Sequence, residues 1–112
     1  MEVVSYAMSD HEITLLVVNR KVKAKPPVTL LVGQTVRYTA PNGKLRIEFP
    51  DGSPYDIEVV EDSLPHTIIK AGRYTGHCFV KLDGETEELG WSPGDNDAGV
   101  NHDVENPPPP PS

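Results

Sequence analysis

Apolar residues recur at every second position along almost the whole chain, and no long window carries a 3.6-residue period. The clearest run is GRYTGHCFVKL, where Tyr74, Gly76, Cys78, Val80 and Leu82 alternate with Arg73, Thr75, His77, Phe79 and Lys81. Successive side chains of a strand project to opposite faces, so such a run buries one face only as a strand. ITLLVV at 13–18 adds β-branched residues suited to a pleated sheet. Shorter alternations are carried by Val28, Leu30 and Val32, by Val36 and Tyr38, by Leu45, Ile47 and Phe49, and by Ile57 and Val59. GVNHDV places Val100, His102 and Val104 on one face.

Turn signals separate these runs: KPP, VGQ, PNGK, PDGSP, KAGR and LDGE. Six to eight short strands spaced by turns in this way predict an all-β protein, an antiparallel sandwich or barrel. One short helical turn is expected at EDSLP, residues 61–65. The expected core is Leu15, Val17, Leu30, Val32, Val36, Tyr38, Leu45, Ile47, Phe49, Ile57, Val59, Ile68, Tyr74, Cys78, Val80 and Leu82. Tyr74 is expected inward with its hydroxyl paired, and Cys78 as a small apolar filler.

A chain of 112 residues suits one domain, here residues 1–106. In the tail NPPPPPS five prolines carry no N–H donor, so residues 107–112 are expected to be polyproline II or disordered. A spacer is the plain reading of such a tail, and docking into an SH3-like groove the sharper one. ELGWSPGDNDAGVNHDVEN is poor in apolar residues and reads as a long loop ending in a short strand, with Trp91 pinning it to the core.

Charge is divided unevenly. Residues 1–50 carry seven Lys/Arg against four acids, whereas residues 51–112 carry three bases against thirteen acids, for a net charge of −7. Such a balance speaks against nucleic-acid binding. The basic cluster RKVKAK at 20–25 reads as a solvated hairpin turn or as lysines guarding an edge strand. The longest apolar run, Leu15 to Val18, is far too short to span a bilayer, so no membrane association is expected. With one cysteine and no signal-peptide pattern, a cytoplasmic protein is the default expectation, or a periplasmic or extracellular one if a leader has been removed.

Two stretches together resemble the cupredoxin (plastocyanin-like) family. The first is PPVTLLVGQTVRYTAPNGK at 26–44: a strand, the turn at Gly33, and a second strand ending in a polar loop. The second is AGRYTGHCF at 71–79, similar to that family's late signature Gly-x-Tyr-x-x-x-Cys at Gly72, Tyr74 and Cys78. The resemblance covers about residues 10–104. It implies an all-β, antiparallel Greek-key β-sandwich of cupredoxin-like type with about seven or eight strands and, in the family, one-electron transfer at a type 1 copper held by two imidazoles, a thiolate and often a weak axial Met. Cys78 matches the thiolate position. The sequence departs from the pattern elsewhere: FVKLDGETEELGWSPG after Cys78 holds neither His nor Met, the early loop PNGKLRIEF holds no His, and Met1 and Met8 precede the first strand.

The remaining candidates are His11, His66, His77 and His102. His77 adjoins Cys78 and so faces away from it on a strand, which rules the pair out as nucleophile and base as well. A nonstandard metal site needs His66, Cys78 and His102 to converge at one end of the sandwich. The plain reading of each His is a surface or turn residue. DNDAG fails the calcium-loop spacing, because the fifth position from Asp95 is Gly99 and the twelfth is Asn106. No serine occupies a G-x-S-x-G elbow. The sequence therefore points to a copper-free, noncatalytic binding module without a cofactor. Its expected partner is another protein, met at an exposed strand edge or through the acidic loop 83–105. The alternative is a metal-binding or electron-transfer protein using Cys78.

Overall fold

A computed structural model describes residues 9–25, 29–94 and 97–108. The expectations for Met1, Met8, Val28 and Asp95, and for the tail from residue 109 onward, lie outside these residues. Ten strands form in chain order: β1 (His11–Val18), β2 (Lys21–Ala24), β3 (Leu30–Leu31), β4 (Thr35–Thr39), β5 (Gly43–Glu48), β6 (Val59–Val60), β7 (His66–Thr67), β8 (Gly72–Leu82), β9 (Leu89–Gly90) and β10 (Gly99–Glu105). They make two sheets, one of four strands ordered β2-β1-β4-β7 and one of six ordered β3-β10-β8-β5-β6, with β9 added to β8. The arrangement is sandwich-like and all-β. Among the described residues there is no helix, and so none long and apolar enough to cross a membrane. The turn expected at 61–65 is not helical; Asp62 instead caps the backbone N–H of Leu64 at 3.0 Å, and Pro65 follows.

Both sheets are mixed, which corrects the purely antiparallel expectation. β1 runs parallel to β4, and β10 runs parallel to β3. The cause lies in the connections. β1 and β2 form a hairpin over Asn19 and Arg20, both at positive φ, as a tight turn matched to strand twist requires. The chain then visits the other sheet as β3, turns at Gly33 (φ +98°) and returns as β4 beside β1. A detour through the opposite sheet is what a parallel neighbour needs, since a hairpin yields only antiparallel pairs. Four of the ten strands have two residues each, too short to show alternation, so the count exceeds the expected seven or eight.

The core lies between the sheets. Leu15, Leu30, Val36, Tyr38, Leu45, Ile47, Phe49, Ile68, Cys78 and Val80 are buried as expected, while Val17, Val32, Tyr74 and Leu82 are partly buried against them. Ile57 and Val59 are exposed, at 40% and 37%, contrary to expectation. Val60 takes the inward place because β6 pairs Ile47 with Val60 and Glu48 with Val59. With two valines in succession either parity is possible, and the partner strand decides. Gly76 is a packing residue: a Cβ there lies 2.8 Å from Val100 Cγ2 and 2.9 Å from Phe49 Cε1.

Candidate functional site

β8 is the long inner strand of the larger sheet, flanked by β10 and β5. Its signature residues have local physical roles. The Tyr74 hydroxyl reaches the carbonyls of Lys70 (2.9 Å) and Ala71 (3.1 Å), closing the approach to the strand. Gly72 lies beneath that ring; a Cβ there would stand 3.3 Å from the Tyr74 hydroxyl, at a backbone φ of +146°. Cys78 faces inward and is fully buried, opposite Ile47 on β5, with its N–H on the Ala98 carbonyl at 2.8 Å. Burial pushes its thiol up to about 12, so it stays protonated. His77 faces the other way and stacks on Trp91, with ring centroids 3.6 Å apart.

The residues expected to converge on a metal stay apart. His66 sits on the edge strand β7 and its Nε2 contacts Asp62 at 2.8 Å. His102 faces inward from β10, but Tyr74 is its partner on β8, four residues from Cys78. His11 bonds Gln34 at 2.8 Å through Nε2. Among the described residues no group of three or more His, Cys, Asp or Glu can hold a metal ion. A type 1 copper does not fit: it needs a thiolate with two imidazoles, and Cys78 is a protonated thiol among apolar neighbours. Native Cys78 is therefore expected to react with an aromatic disulfide reagent roughly a hundredfold or more slowly than in urea. Comparable rates in the two conditions, followed by thiol absorbance, would contradict the buried placement.

His102 is not the surface residue its plain reading suggested. It is 1% exposed and joins a polar chain through the core. Its Nε2 lies 2.7 Å from the Tyr38 hydroxyl, which lies 2.7 Å from the Tyr55 hydroxyl. Among the described residues Nδ1 of His102 has no hydrogen-bond partner. If Nδ1 carries the proton, Tyr55 donates to Tyr38, Tyr38 donates to Nε2, and only one N–H is left over. The opposite sense strands both the Tyr55 hydroxyl hydrogen and the Nδ1 lone pair, so the first is favoured. Burial, with His11 nearby, lowers the His102 pKa to about 4, and burial raises those of both tyrosines. The alternation of Val100, His102 and Val104 was the signal for this burial; nothing local announced Tyr55, which reaches the core from a loop.

The outer surface has one distinctive region. β6 and β7 are each a terminal strand of their own sheet. Segment 57–69, which contains both, carries four of the six exposed large apolar side chains among the described residues: Ile57, Val59, Leu64 at 62% and Ile69 at 55%. Residues 51–62 leading into it hold five acids and no base. Asp51, Asp56 and Glu58 form no ion pair among the described residues. The acidic loop after β8 differs. There Glu85 and Glu87 face Arg20 at 3.0 and 3.7 Å, Glu88 bonds Arg46, and Leu89 is buried as part of β9.

No family model matches the chain, and neither a curated protein nor a solved structure matches it.

Proposed function

We propose that this protein is a copper-free, noncatalytic binding module of cupredoxin-like type, whose partner is a protein met at the open β6–β7 edge. The observation that carries this reading is the edge itself: exposed Ile57, Val59, Leu64 and Ile69 beside carboxylates with no counter-charge of their own. Apolar anchors with an unneutralised acidic rim suit an extended segment that alternates apolar and basic residues. Of the two surfaces expected from the sequence, the edge is favoured over the loop 83–105, because three acids of that loop already sit against arginines. The polar chain behind the edge supports a fixed surface, since the Tyr55 ring packs 5.7 Å from that of His66. The cupredoxin-like assignment rests on Gly72, Tyr74 and Cys78 sharing one inner strand and on Gly33 turning the chain between β3 and β4. Cys78 then fills the core where relatives hold copper.

The test is selection from a random octapeptide library, followed by mapping of the enriched peptides on the protein's amide resonances. Enriched sequences are expected to alternate apolar residues with Lys or Arg, to shift amides in 57–69, and to weaken with added salt. Leu64→Ser combined with Ile69→Thr is expected to weaken them tenfold or more, about 1.4 kcal/mol, without altering the fold. Enrichment of acidic peptides, or shifts centred on 83–90, would refute the assignment of the edge.

A further inference from the structure

Two exposed surfaces of this chain are complementary in charge and face opposite ways. The first lies on the β1–β2 hairpin. Lys23 stands directly across from Leu16, and Lys21 from Val18. Leu15, Val17 and Val22 alternate with these four and turn inward, Leu15 and Val22 being fully buried. Leu16, Val18, Lys21 and Lys23 therefore project together from the outer face of the four-stranded sheet. Leu16 and Val18 are the two exposed large apolar side chains outside segment 57–69 among the described residues. Arg20 beside them is engaged by Glu85, but Lys21 and Lys23 form no ion pair among the described residues.

The second surface is Asp56, Ile57, Glu58 and Val59, four consecutive exposed residues in which acid and apolar side chains alternate. The Glu58 carbonyl accepts the Phe49 N–H at 3.1 Å and Val59 pairs with Glu48, which fixes the run against β5. Val60 points into the core, so Val59 projects from the outer face of the six-stranded sheet. The outer faces of two packed sheets look away from each other. The two surfaces therefore cannot cover one another within a single copy.

We infer that they cover one another between copies, the basic hairpin face of one molecule packing on residues 56–59 of the next. This rests on the reading of 57–69 as a protein-binding edge and names a second copy of the chain as the protein met there. Charge decides the pairing. Two hairpin faces together set lysine against lysine, and two 56–59 runs set acid against acid. Only the unlike pair brings Lys21 and Lys23 to Asp56 and Glu58 while Leu16 and Val18 cover Ile57 and Val59. The net charge of −7 opposes approach at long range, but in about 0.15 M salt that repulsion is screened beyond about 8 Å and the facing charges remain. An unlike contact is heterologous, so each added copy leaves one surface of each kind free. Association then runs head to tail instead of stopping at a two-fold dimer. The contact is small and belongs to the weak, transient class.

The experiment is sedimentation equilibrium of the full chain from tens of micromolar to about a millimolar, in about 0.15 M salt, with amide resonances followed over the same range. The weight-average mass is expected to climb without a plateau at two copies, and shifts in 16–23 and 56–59 are expected to follow one curve. Leu16→Ser with Lys23→Ser, and separately Ile57→Ser with Glu58→Ser, are surface changes that are each expected to weaken association tenfold or more. An equal mixture of the two variants is expected to associate again and to stop at two copies, because each keeps only the surface the other lacks. A native chain whose mass levels off at two copies, a variant that self-associates as strongly as the native chain, or a mixture that stays monomeric would each overturn the inference. A native chain that stays monomeric while the enriched octapeptides still shift 57–69 overturns this inference alone; loss of both responses overturns the edge reading with it.

Discussion

Lowering the pH from about 7 to about 4 is expected to remove roughly 3 kcal/mol of stability through His102 alone. Its ordinary value of 6.5 applies in the unfolded chain, whereas burial holds it near 4 in the fold. Between these two values the unfolded state binds the proton and the native state does not. Stability therefore falls as pH drops below about 6.5 and levels off, for this group, below about 4. Protonation also destroys the acceptor at Nε2 on which Tyr38 depends in the favoured tautomer. Urea midpoints at a series of pH values, for the native chain and for His102→Leu, isolate the contribution. The leucine variant keeps the Tyr38–Tyr55 bond and lacks the titrating ring. Its stability is expected to change much less across this window, whatever its starting value. Parallel curves for the two proteins would show that His102 is not buried as a neutral ring.

Gly90→Ala is expected to cost about 3 kcal/mol and to release Trp91 from its place. Gly90 sits at φ +156°, and a Cβ there would collide with the Cys78 carbonyl and stand 2.7 Å from Phe79 Cα. Those contacts are backbone of the neighbouring strand, so no side-chain rotation relieves them. β9 would have to leave β8, breaking the Trp91 N–H bond to the Cys78 carbonyl at 3.0 Å and the stack on His77. Trp91 is the single tryptophan of the chain, so its fluorescence reports this region directly. A red-shifted emission and a lowered melting temperature are expected together. Gly84→Ala is the control: its φ is +83° but nothing lies within 4 Å of the added methyl, so only about 1 kcal/mol of backbone strain is expected. Equal effects of the two substitutions would show that β9 is not packed on β8 in this way.

The strands with five or more residues were legible as alternation, and most of their inward residues were too, Ile13 and His102 excepted. Cys78 and His77 fell on opposite faces as a period of two demands. The errors cluster where the signal was shortest. Val59 was placed inward because it alternates with Ile57, yet the pairing of Ile47 with Val60 sets the other parity. The reading of Trp91 as an anchor for its loop is not among them: it is partly buried against the core and also stacks on His77. The gap between His66, Cys78 and His102 could not be read at all, because it is a distance across strands and between sheets.

The sequence by itself determined that this chain is all-β, that β8 buries Gly76, Cys78 and Val80, and that Gly33 turns the chain, because side-chain parity and turn chemistry are local properties. Only the tertiary structure decided that both sheets are mixed, that His102 ends a buried chain through Tyr38 and Tyr55, and that Val60 rather than Val59 faces inward through its pairing with Ile47. Each of these joins residues far apart in the chain, and which of them meet depends on how strands are ordered, which alternation does not encode.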